Sequence, residues 1–399
     1  MGMRVPKHPS CGNGRPLRVL LVISNLEYGG SQRQVVELAN NADPSALSVS
    51  ICSLSDYVPL ADFLMAPDSQ LHIIPKRNKF DITVVPRLAR LIRRLGIEIV
   101  HSFLFDADIA SRLAGRLTGA IVIGSERNTD YKLKPRQHLA YRMTHDLVDR
   151  IVANSRAGAR FNGGLLGYDD SMYRVVHNGV DTGRFSPGDG GSVKAELGIE
   201  KGEKVVGMFA SFKSQKNHPL FFRAARIILE KIPETRYLLV GDMLYAGMHG
   251  SDRYHVQMEK LADELGIRRR CIYLGNRTDV NRLYRACDVT VLPSLFEGTP
   301  NVLLESMACG VPVVATDISD NGYVVMNGET GYLVPVGDEA AMAESVLRIL
   351  RDDDLREKMA RRSHARIETE FSLKRLVDKM HIVYREVHDE AARSITTQR

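Results

Sequence analysis

The sequence contains no tryptophan, and its five cysteines are scattered without a Cys-x-x-Cys pair. An odd number of cysteines at irregular spacing does not fit a disulfide framework or a structural zinc site. A chain of 399 residues can bury a core without such covalent or metal support. We therefore expect free thiols and a reducing compartment, which favours the cytoplasm.

The sequence also lacks a long apolar run. No stretch approaches the roughly 20 residues that a membrane-spanning helix needs. Residues 1–16 carry charge but no apolar signal-peptide core, and we expect them to form a disordered tail.

Charge is distributed unevenly along the chain. Residues 1–188 hold 24 basic and 17 acidic side chains, whereas the remainder holds 30 and 31. A basic first half favours an anionic partner, such as an anionic membrane surface or a phosphate-bearing acceptor. Basic side chains on ordinary solvated helix faces would give the same excess of positive charge without any anionic partner.

Short β-rich runs alternate with helix-length segments along the chain. Seven occur in the first half and five in the second: RVLLVIS, LSVSICS, LHII, IEIVHS, AIVIGS, RIVANS and YRVVH, then KVVGMFAS, RYLLVGD, CIYLGN, DVTVLPS and VPVVATD. This alternation predicts βαβ units and parallel sheets. We predict an α/β protein of two Rossmann-like doubly wound domains, at 17–183 and 193–374. A Gly- and Ser-rich linker at 184–192 joins them, and a helix at 375–394 returns to the first domain.

The segment LFEGTPNVLLESMACGVPVV, residues 295–314, predicts a strand-to-helix turn. Thr299 favours an N-cap and Pro300 a first helical residue. Gly310 favours the helix end. Because the helix follows a predicted strand, its N-terminus should lie at the carboxyl edge of a parallel sheet, where ligands bind in open α/β folds.

The start of this helix is a candidate cradle for a phosphate or a sugar-phosphate. Gly298 lets a ligand approach the backbone, and amides of the first helical turn lack intrahelical partners and attract anions. Those amides belong to Asn301, Val302 and Leu303. Glu297 precedes the helix and is predicted to lie near the ligand, whereas Glu305, inside the helix, could reach a ribose diol.

With these features, FEGTPNVLLESMACGVPVVATD resembles the Glu-x7-Glu signature of retaining nucleotide-sugar glycosyltransferases of family 4, which have the GT-B fold. Further segments resemble the family's interdomain segment, nucleotide-binding strands and post-signature segment: VVHNGVDTGRF, YLLVGD, YLGNRTDVNRLYRACDVTVLPS and NGETGYLVP. The resemblance covers about residues 17–390.

The resemblance implies two domains facing a central cleft and a hexosyltransferase of cell-envelope or polysaccharide biosynthesis. It implies a UDP- or GDP-linked sugar donor, a glycan or lipid-linked acceptor, and neither cofactor, metal nor nucleic acid. Transfer would proceed by front-face substitution with retention. Peripheral contact with the cytoplasmic face of an anionic membrane would fit the basic first half.

The resemblance also assigns roles in the second domain. Glu297 would contact the donor sugar, and Glu305 the nucleotide ribose. The backbone of Gly298–Leu303 would hold the sugar and diphosphate, and the backbone of Gly275–Arg277 the base.

One strand-and-loop segment, FASFKSQKNHPLFFRAA, departs from the family pattern. Lys216 matches the lysine that neutralises the leaving diphosphate, but Ala210 and Ser211 occupy the place of the family's Gly-Arg pair. Lys213, two residues further on, could supply the missing charge. Both lysines could instead be ordinary surface residues.

The first domain offers weaker candidates. Gly29 and Gly30 follow the first strand and could admit a phosphate, or form a plain turn; without a Gly-x-Gly-x-x-Gly pattern, a nicotinamide site is disfavoured. His101 is predicted to end a strand and matches a family histidine near the cleft, although a structural role stays open. Arg127 occupies the place of a second family histidine and is a candidate for binding a donor phosphate or the acceptor.

Asp106-x-Asp108 could suggest a metal site, but we predict that it opens a helix with Asp106 as N-cap.

Three alternatives to a transferase remain open at this point. A pyridoxal-phosphate phosphorylase would need a Schiff-base lysine and usually a longer chain. A nucleotide-sugar epimerase would share the fold, and the absent arginine at Ser211 would suit a non-catalytic partner subunit that binds nucleotide.

Overall fold

The computed structural model describes residues 15–66, 70–78, 81–127, 133–241 and 251–396. Residues 1–14 of the predicted tail lie outside this range. Thirteen strands occur within it: β1 Leu17–Ile23, β2 Leu47–Ser53, β3 Leu71–Ile73, β4 Ile99–Phe103, β5 Ile121–Glu126, β6 Arg150–Ala153, β7 Tyr173–Val175, β8 Lys204–Phe209, β9 Thr235–Val240, β10 Cys271–Tyr273, β11 Val289–Leu292, β12 Val313–Thr316 and β13 Gly331–Val334.

The same residues form fourteen α-helices: α1 Gly30–Asn41, α2 Val84–Leu95, α3 Phe105–Thr118, α4 Pro135–Met143, α5 Arg156–Leu166, α6 Gly191–Glu196, α7 His218–Lys231, α8 Ser251–Glu264, α9 Val280–Arg285, α10 Asn301–Ala308, α11 Asn321–Val324, α12 Glu339–Arg351, α13 Asp353–Glu370 and α14 Leu373–Thr396. Short 3-10 turns occur at Pro59–Phe63, His145–Leu147, Asp170–Met172, Ser214–Lys216 and Arg268–Arg270. Among the described helices, none combines the length and the apolar composition needed to cross a bilayer.

The chain forms two compact units. Residues up to Asn178, together with those from Leu373 onward, form the first, and Gly179–Ser372 form the second. The first unit contains a parallel sheet of order β3-β2-β1-β4-β5-β6-β7, and the second a parallel sheet of order β10-β9-β8-β11-β12-β13. In each sheet the strand order reverses at the unit's first strand, which creates a topological switch point. The predicted α/β class with two Rossmann-like doubly wound domains is confirmed.

Strand β1 shows why the first sheet is covered on both faces. Val19, Leu21 and Ile23 pack in one core cluster with α1 and α14. Leu20 and Val22 pack in another cluster with α2 and α3. Side chains alternate across a strand, so a continuous apolar run needs helices on both sides.

The last helix, α14, belongs to the first unit. Its apolar side chains recur at helical spacing, and Leu376, Met380, Tyr384 and Val387 are all buried in the cluster with α1. In the second unit, β8 alternates in the same way. Val206 and Met208 pack toward α7 and α12, whereas Val205 and Phe209 pack toward α10.

Candidate functional site

Two loops meet at the carboxyl edge of the second sheet. The β8 loop comprises residues 210–217, and the β11 loop comprises residues 293–300. Strands β8 and β11 are far apart in sequence but are neighbours at the switch point, where Val289 pairs with Val206. Both loops therefore start at the edge where open α/β sheets bind ligands.

An ion pair joins the two loops. Lys216 Nζ lies 2.5 Å from Glu297 Oε1, and Ser294 Oγ donates to the same oxygen at 2.8 Å. The Lys216 and Glu297 side chains keep 19% and 10% of their exposure, so both groups stay within reach of a ligand. Glu297 Oε2 accepts no hydrogen bond from any described residue, which leaves that oxygen for a ligand.

Two further hydrogen bonds fix the distance between the loops. The amide of Leu295 donates to the carbonyl of Gln215 at 2.9 Å. The side-chain amide of Gln215 donates to the carbonyl of Phe296 at 2.7 Å. The cation and the carboxylate are thus preorganised by the backbone on either side of them, an arrangement that costs no reorganisation when charge develops on a ligand.

Within the β8 loop, the side chain of Phe212 packs against the start of α7. This side chain is buried, and its ring stacks on His218 with centroids 4.3 Å apart. Burial, and then the charge of Lys216, lowers the pKa of His218 to about 3, so the ring is neutral. Ser211 is half-buried, and Lys213 is exposed with no side-chain ion pair to a described residue.

Helix α10 begins one residue later than predicted. Pro300 is its N-cap, with a ψ of 123°, and the buried Thr299 lies one position earlier, so Thr299 as N-cap was wrong. The carbonyl of an N-cap accepts the first helical hydrogen bond. The amide of Leu303 donates to the Pro300 carbonyl at 3.2 Å, so the predicted lack of a partner was wrong for Leu303. Gly298 is buried in the β11 loop, and Asn301 and Val302 open the helix.

Glu305 lies inside α10 with 8% exposure. The hydroxyl of Tyr284 donates to Glu305 Oε2 at 3.0 Å, and the Tyr284 ring stacks on Phe209 with centroids 3.8 Å apart. Burial, and then the neighbouring carboxylate, raises the pKa of Tyr284 far above its ordinary value. Since Phe209 ends β8, these contacts hold the Glu305 carboxylate beside the switch point.

The predicted base-binding segment follows β10. Gly275 has a φ of +62°, in the left-handed region that favours glycine, and its carbonyl accepts from the amide of Gly241 at 2.9 Å. The Arg277 guanidinium donates to both carboxylate oxygens of Asp279 at 2.8 Å and lies 3.6 Å from Glu196. These carboxylates raise the pKa of Arg277. The side chain is therefore engaged by the protein, and the role predicted for the backbone stays a prediction.

Gly29 and Gly30 occupy the turn between β1 and α1. Gly29 is the N-cap, and Gly30 is the first helical residue. A Cβ atom on Gly29 would lie 2.3 Å from Gln32 Oε1, whose side-chain amide donates to Asn25 at 2.9 Å. That oxygen is the far end of a flexible side chain, and the φ of Gly29 is an extended −162°, so neither observation requires glycine here. A phosphate contact stays a prediction.

His101 lies at the centre of β4, so its predicted place at the strand end was wrong, because the strand continues to Phe103. Its Nδ1 lies 2.8 Å from Tyr384 Oη, and its Nε2 lies 2.6 Å from Ser125 Oγ. Burial, and then the charge of Arg127, lowers the pKa of His101 to about 3. With 1% exposure and both ring nitrogens engaged, the geometry favours a structural role over the predicted catalytic one.

Arg127 directly follows β5. Its guanidinium carbon lies 5.5 Å from the centroid of the Phe103 ring, and its Nε has no hydrogen-bond partner among the described residues. Burial lowers the pKa of Arg127 to about 10, so the side chain stays charged at neutral pH. Its neighbour Glu126 accepts from the Tyr173 hydroxyl at 3.0 Å, and burial raises the pKa of Glu126 to about 8. Arg127 thus remains a candidate for binding an anion.

Asp106 and Asp108 point to different partners. Asp106 pairs with Lys76 at 2.7 Å, whereas the buried Asp108 pairs with Arg112 at 2.9 Å. The N-cap of α3 is Leu104, with a φ of +70°, so the prediction of Asp106 as N-cap was wrong. Within the described ranges, no three His, Cys, Asp or Glu side chains converge as metal ligands.

Several residues of the site have no motif that marks them in the sequence. Ser294 and Tyr284 contact the predicted residues Glu297 and Glu305 directly, and Gln215 bonds to the β11 loop at Phe296, next to Glu297. Ser294 could have been found from its place three residues before Glu297, directly after a strand and a proline. Tyr284 and Gln215 contact residues that lie 21 and 81 positions away in the sequence, and local spacing does not predict contacts at such separations.

Two protein-family models match this chain. The model described as "Glycosyltransferase Family 4" matches residues 28–184, and the model described as "Glycosyl transferases group 1" matches residues 192–366. The chain belongs to glycosyltransferase family 4. The family 4 resemblance predicted from the signature helix is confirmed, and Glu297, Glu305 and Lys216 all fall within the second match.

Curated relatives of this family 4 chain include two kinds of enzyme. A D-inositol 3-phosphate glycosyltransferase of Mycobacterium sp. (strain KMS) is 36% identical over 207 residues, which cover 51% of this chain and 45% of that protein. The match thus spans about half the length of such relatives. The UDP-Gal:alpha-D-GlcNAc-diphosphoundecaprenol alpha-1,3-galactosyltransferase of Escherichia coli is 27% identical over 315 residues, covering 76% of this chain and 79% of that protein.

Solved structures resemble the family 4 chain over nearly its whole length. The Anabaena protein HepE in complex with UDP matches with a TM-score of 0.80 at 18% identity, covering 93% of this chain and 100% of that one. At this identity the likeness establishes the fold alone.

Proposed function

We propose that this family 4 member transfers a hexosyl group from a UDP- or GDP-sugar to a hydroxyl of a lipid-linked or polysaccharide acceptor. The ion pair of Lys216 and Glu297 at the switch-point edge carries this proposal. It sets a cation beside a carboxylate oxygen, as a charged diphosphate attached to a hydroxyl-bearing sugar requires. The UDP of the HepE complex and the UDP-Gal in the E. coli relative's name support a nucleotide-sugar donor.

Each residue of the site then has a distinct task. Lys216 neutralises the charge that grows on the diphosphate as the bond to the sugar breaks, and the amide of Val302 adds a backbone donor. Glu297 Oε2 accepts from a sugar hydroxyl, because its Oε1 is already occupied. Glu305, held by Tyr284, binds the ribose diol.

We propose that transfer retains the anomeric configuration and needs neither metal nor cofactor. The acceptor oxygen bonds to the anomeric carbon on the face from which the diphosphate departs, and its proton passes to a phosphate oxygen of the leaving group. Glu297 suits orientation better than attack, because its carboxylate is already bound by Lys216 and Ser294. Lys216 and the helix amides supply the positive charge that a metal would otherwise provide.

Donor turnover tests the function. The purified chain is incubated with UDP-glucose, UDP-galactose, UDP-N-acetylglucosamine and GDP-mannose, and nucleoside diphosphate release is measured with and without EDTA. We expect release from one donor that EDTA does not reduce, and NMR during the reaction should show the released sugar first as its α anomer, before mutarotation. Release from none would overturn the function, inversion at C2 of the donor alone would indicate an epimerase, and loss of activity in EDTA would overturn metal independence.

A variant pair tests the role of Glu297. Glu297→Gln is expected to lower turnover about 100-fold, since it weakens both the ion pair and the contact with the sugar. Glu329→Gln, an exposed glutamate of the same unit, is the matched control. Full turnover with unchanged donor affinity in Glu297→Gln would contradict the assignment.

We further propose peripheral contact with the cytoplasmic face of an anionic membrane, as a lipid-linked acceptor would need. Helices α2 and α3 pack on one face of the first sheet; α5 packs on the same face, since Val122 in its cluster pairs with Val100. Apart from the buried pair of Arg112 and Asp108, helices α2 to α5 carry nine arginines, one aspartate and neither lysine nor glutamate. On them Leu117, Leu139 and Met143 are 55%, 56% and 77% exposed. A basic surface with exposed apolar side chains suits anionic headgroups.

Vesicle sedimentation tests this contact. The chain should sediment with phosphatidylglycerol vesicles and not with phosphatidylcholine vesicles, and an Arg90→Glu, Arg93→Glu double variant should lose most of that binding. Equal binding to both vesicle types, or no change in the variant, would contradict the proposal.

A further inference from the structure

A chain of buried hydrogen bonds leads from the first residue of α11 to Glu297. The side-chain amide of Asn321 donates to the carbonyl of Thr316 at 2.9 Å, and the Thr316 hydroxyl donates to the carbonyl of Ser294 at 2.6 Å. Ser294 Oγ then donates to Glu297 Oε1 at 2.8 Å. Asn321, Thr316 and Ser294 are each 0% exposed, so water does not compete for these bonds.

The two donors that reach Glu297 Oε1 differ in how firmly they fix it. Lys216 reaches that oxygen through a long side chain that is 19% exposed, and such side chains lose much rotamer freedom when held. Ser294 has a short side chain and no exposure, and its carbonyl is held by Thr316 on the neighbouring strand. Ser294 therefore sets the orientation of the carboxylate, whereas Lys216 chiefly supplies charge.

We infer that Ser294 is a positioning residue for Glu297, and that Thr316 at the end of β12 holds Ser294 in place. The inference rests on the proposed function and deepens it by assigning separate tasks to the two carboxylate oxygens. With Oε1 held by the protein, Oε2 is aimed at the sugar of the donor. Recognition of the sugar then depends on β12 as well as on the signature segment.

Binding of nucleotide with and without its sugar tests this inference. Ser294→Ala should weaken binding of the donor sugar nucleotide and lower turnover about 10- to 100-fold, the usual effect of losing a hydrogen bond to a charged group. Binding of the corresponding free nucleoside diphosphate should not change, because Lys216 and α10 remain. Both affinities are measured by calorimetry. Ser363→Ala is the matched control: Ser363 is 0% exposed in the same unit and donates to the Thr330 carbonyl at 2.9 Å.

A double variant separates positioning from general packing. If Ser294 acts through Glu297, then Ser294→Ala should cause no further loss in a Glu297→Gln background. Additive losses, equal weakening of both nucleotides, or the same loss in Ser363→Ala would overturn the inference. Thr316→Val should act in the same direction by about threefold, since it removes only the second link. It carries the test if Ser294→Ala fails to fold.

Failure of the inference and failure of the proposed function give different results. A wild-type chain that binds donor without turnover would defeat the function, yet the binding comparison would still decide the role of Ser294. A wild-type chain that turns over donor while Ser294→Ala behaves like Ser363→Ala would defeat the inference alone.

Discussion

The carboxyl edges of the two sheets use charged side chains in opposite ways. At the second sheet, Lys216 and Glu297 are directly paired, yet both keep some exposure. In the first sheet, His101 lies inside β4, two residues before its carboxyl end, with 1% exposure and both ring nitrogens bound. Glu126, at the carboxyl end of β5, is held by Tyr173. The second edge presents an ion pair to a ligand, whereas the first directs its polar groups inward.

Protonation follows the same division. Burial keeps His101 neutral and shifts the pKa of Glu126 to about 8, so neither carries a full charge at neutral pH. A neutral buried group attracts an anionic donor only weakly. Arg127 is the exception at the first edge, since it stays charged and its Nε has no partner among the described residues. Substitutions at the second edge should therefore affect activity, and those at the first edge stability.

The largest effect should follow loss of the cation at the second edge. Lys216→Ala removes the charge that we propose neutralises the leaving diphosphate, and we expect turnover of donor to fall about 1,000-fold. Folding should persist, because Gln215 still ties the two loops together. Lys260→Ala, whose side chain is 78% exposed, is the control, and steady-state kinetics of both variants provide the measurement. If turnover stayed within threefold of wild type, a residue other than Lys216 would have to neutralise the diphosphate, and Lys213 would be the next residue to test.

In the first sheet, His101→Leu should reduce stability rather than donor recognition. It leaves the hydroxyls of Ser125 and Tyr384 without their partner, which should cost about 2–4 kcal/mol in urea unfolding. The KM for the donor should stay within about twofold. Tyr384→Phe, which removes one of the two contacts, should cost about 1 kcal/mol. A large fall in kcat with unchanged stability would instead support the catalytic role predicted from the sequence.

Strand prediction succeeded where apolar residues form long runs. All twelve β-rich runs correspond to strands, since parallel strands buried on both faces are apolar at nearly every position. The thirteenth strand, Gly331–Val334, was not predicted. It is short, begins with glycine and lies at the edge of its sheet beside β12, so its apolar signal is weak.

Site prediction was best within a single segment. Glu297 and Glu305 stand on one strand-to-helix unit, so the predicted strand and the helix start that follows it place both at the sheet edge. The helix start was one residue off, because Pro300 rather than Thr299 provides the cap. The burial of His101 depends on Tyr384, 283 residues away on α14. Local spacing cannot reveal a contact of that range.

A pH dependence of stability is expected in the first unit. Burial raises the pKa of Glu126 from 4.5 to about 8, with Asp108 adding repulsion and Arg112 opposing it. Between those values the unfolded chain releases a proton that the folded chain keeps, so stability falls as pH rises from about 4.5 to about 8 and then levels off.

Glu126→Gln keeps the contact with Tyr173 and removes the titration. Its melting temperature should therefore match that of wild type near pH 4 and exceed it by about 10 °C at pH 8, where a shift of this size is worth about 4–5 kcal/mol. Glu386→Gln, half-exposed in the same unit, should show no such divergence. A constant difference between Glu126→Gln and wild type at both pH values would mean that Glu126 is ionised in the folded chain, and the contrast between the two edges would then rest on His101 alone.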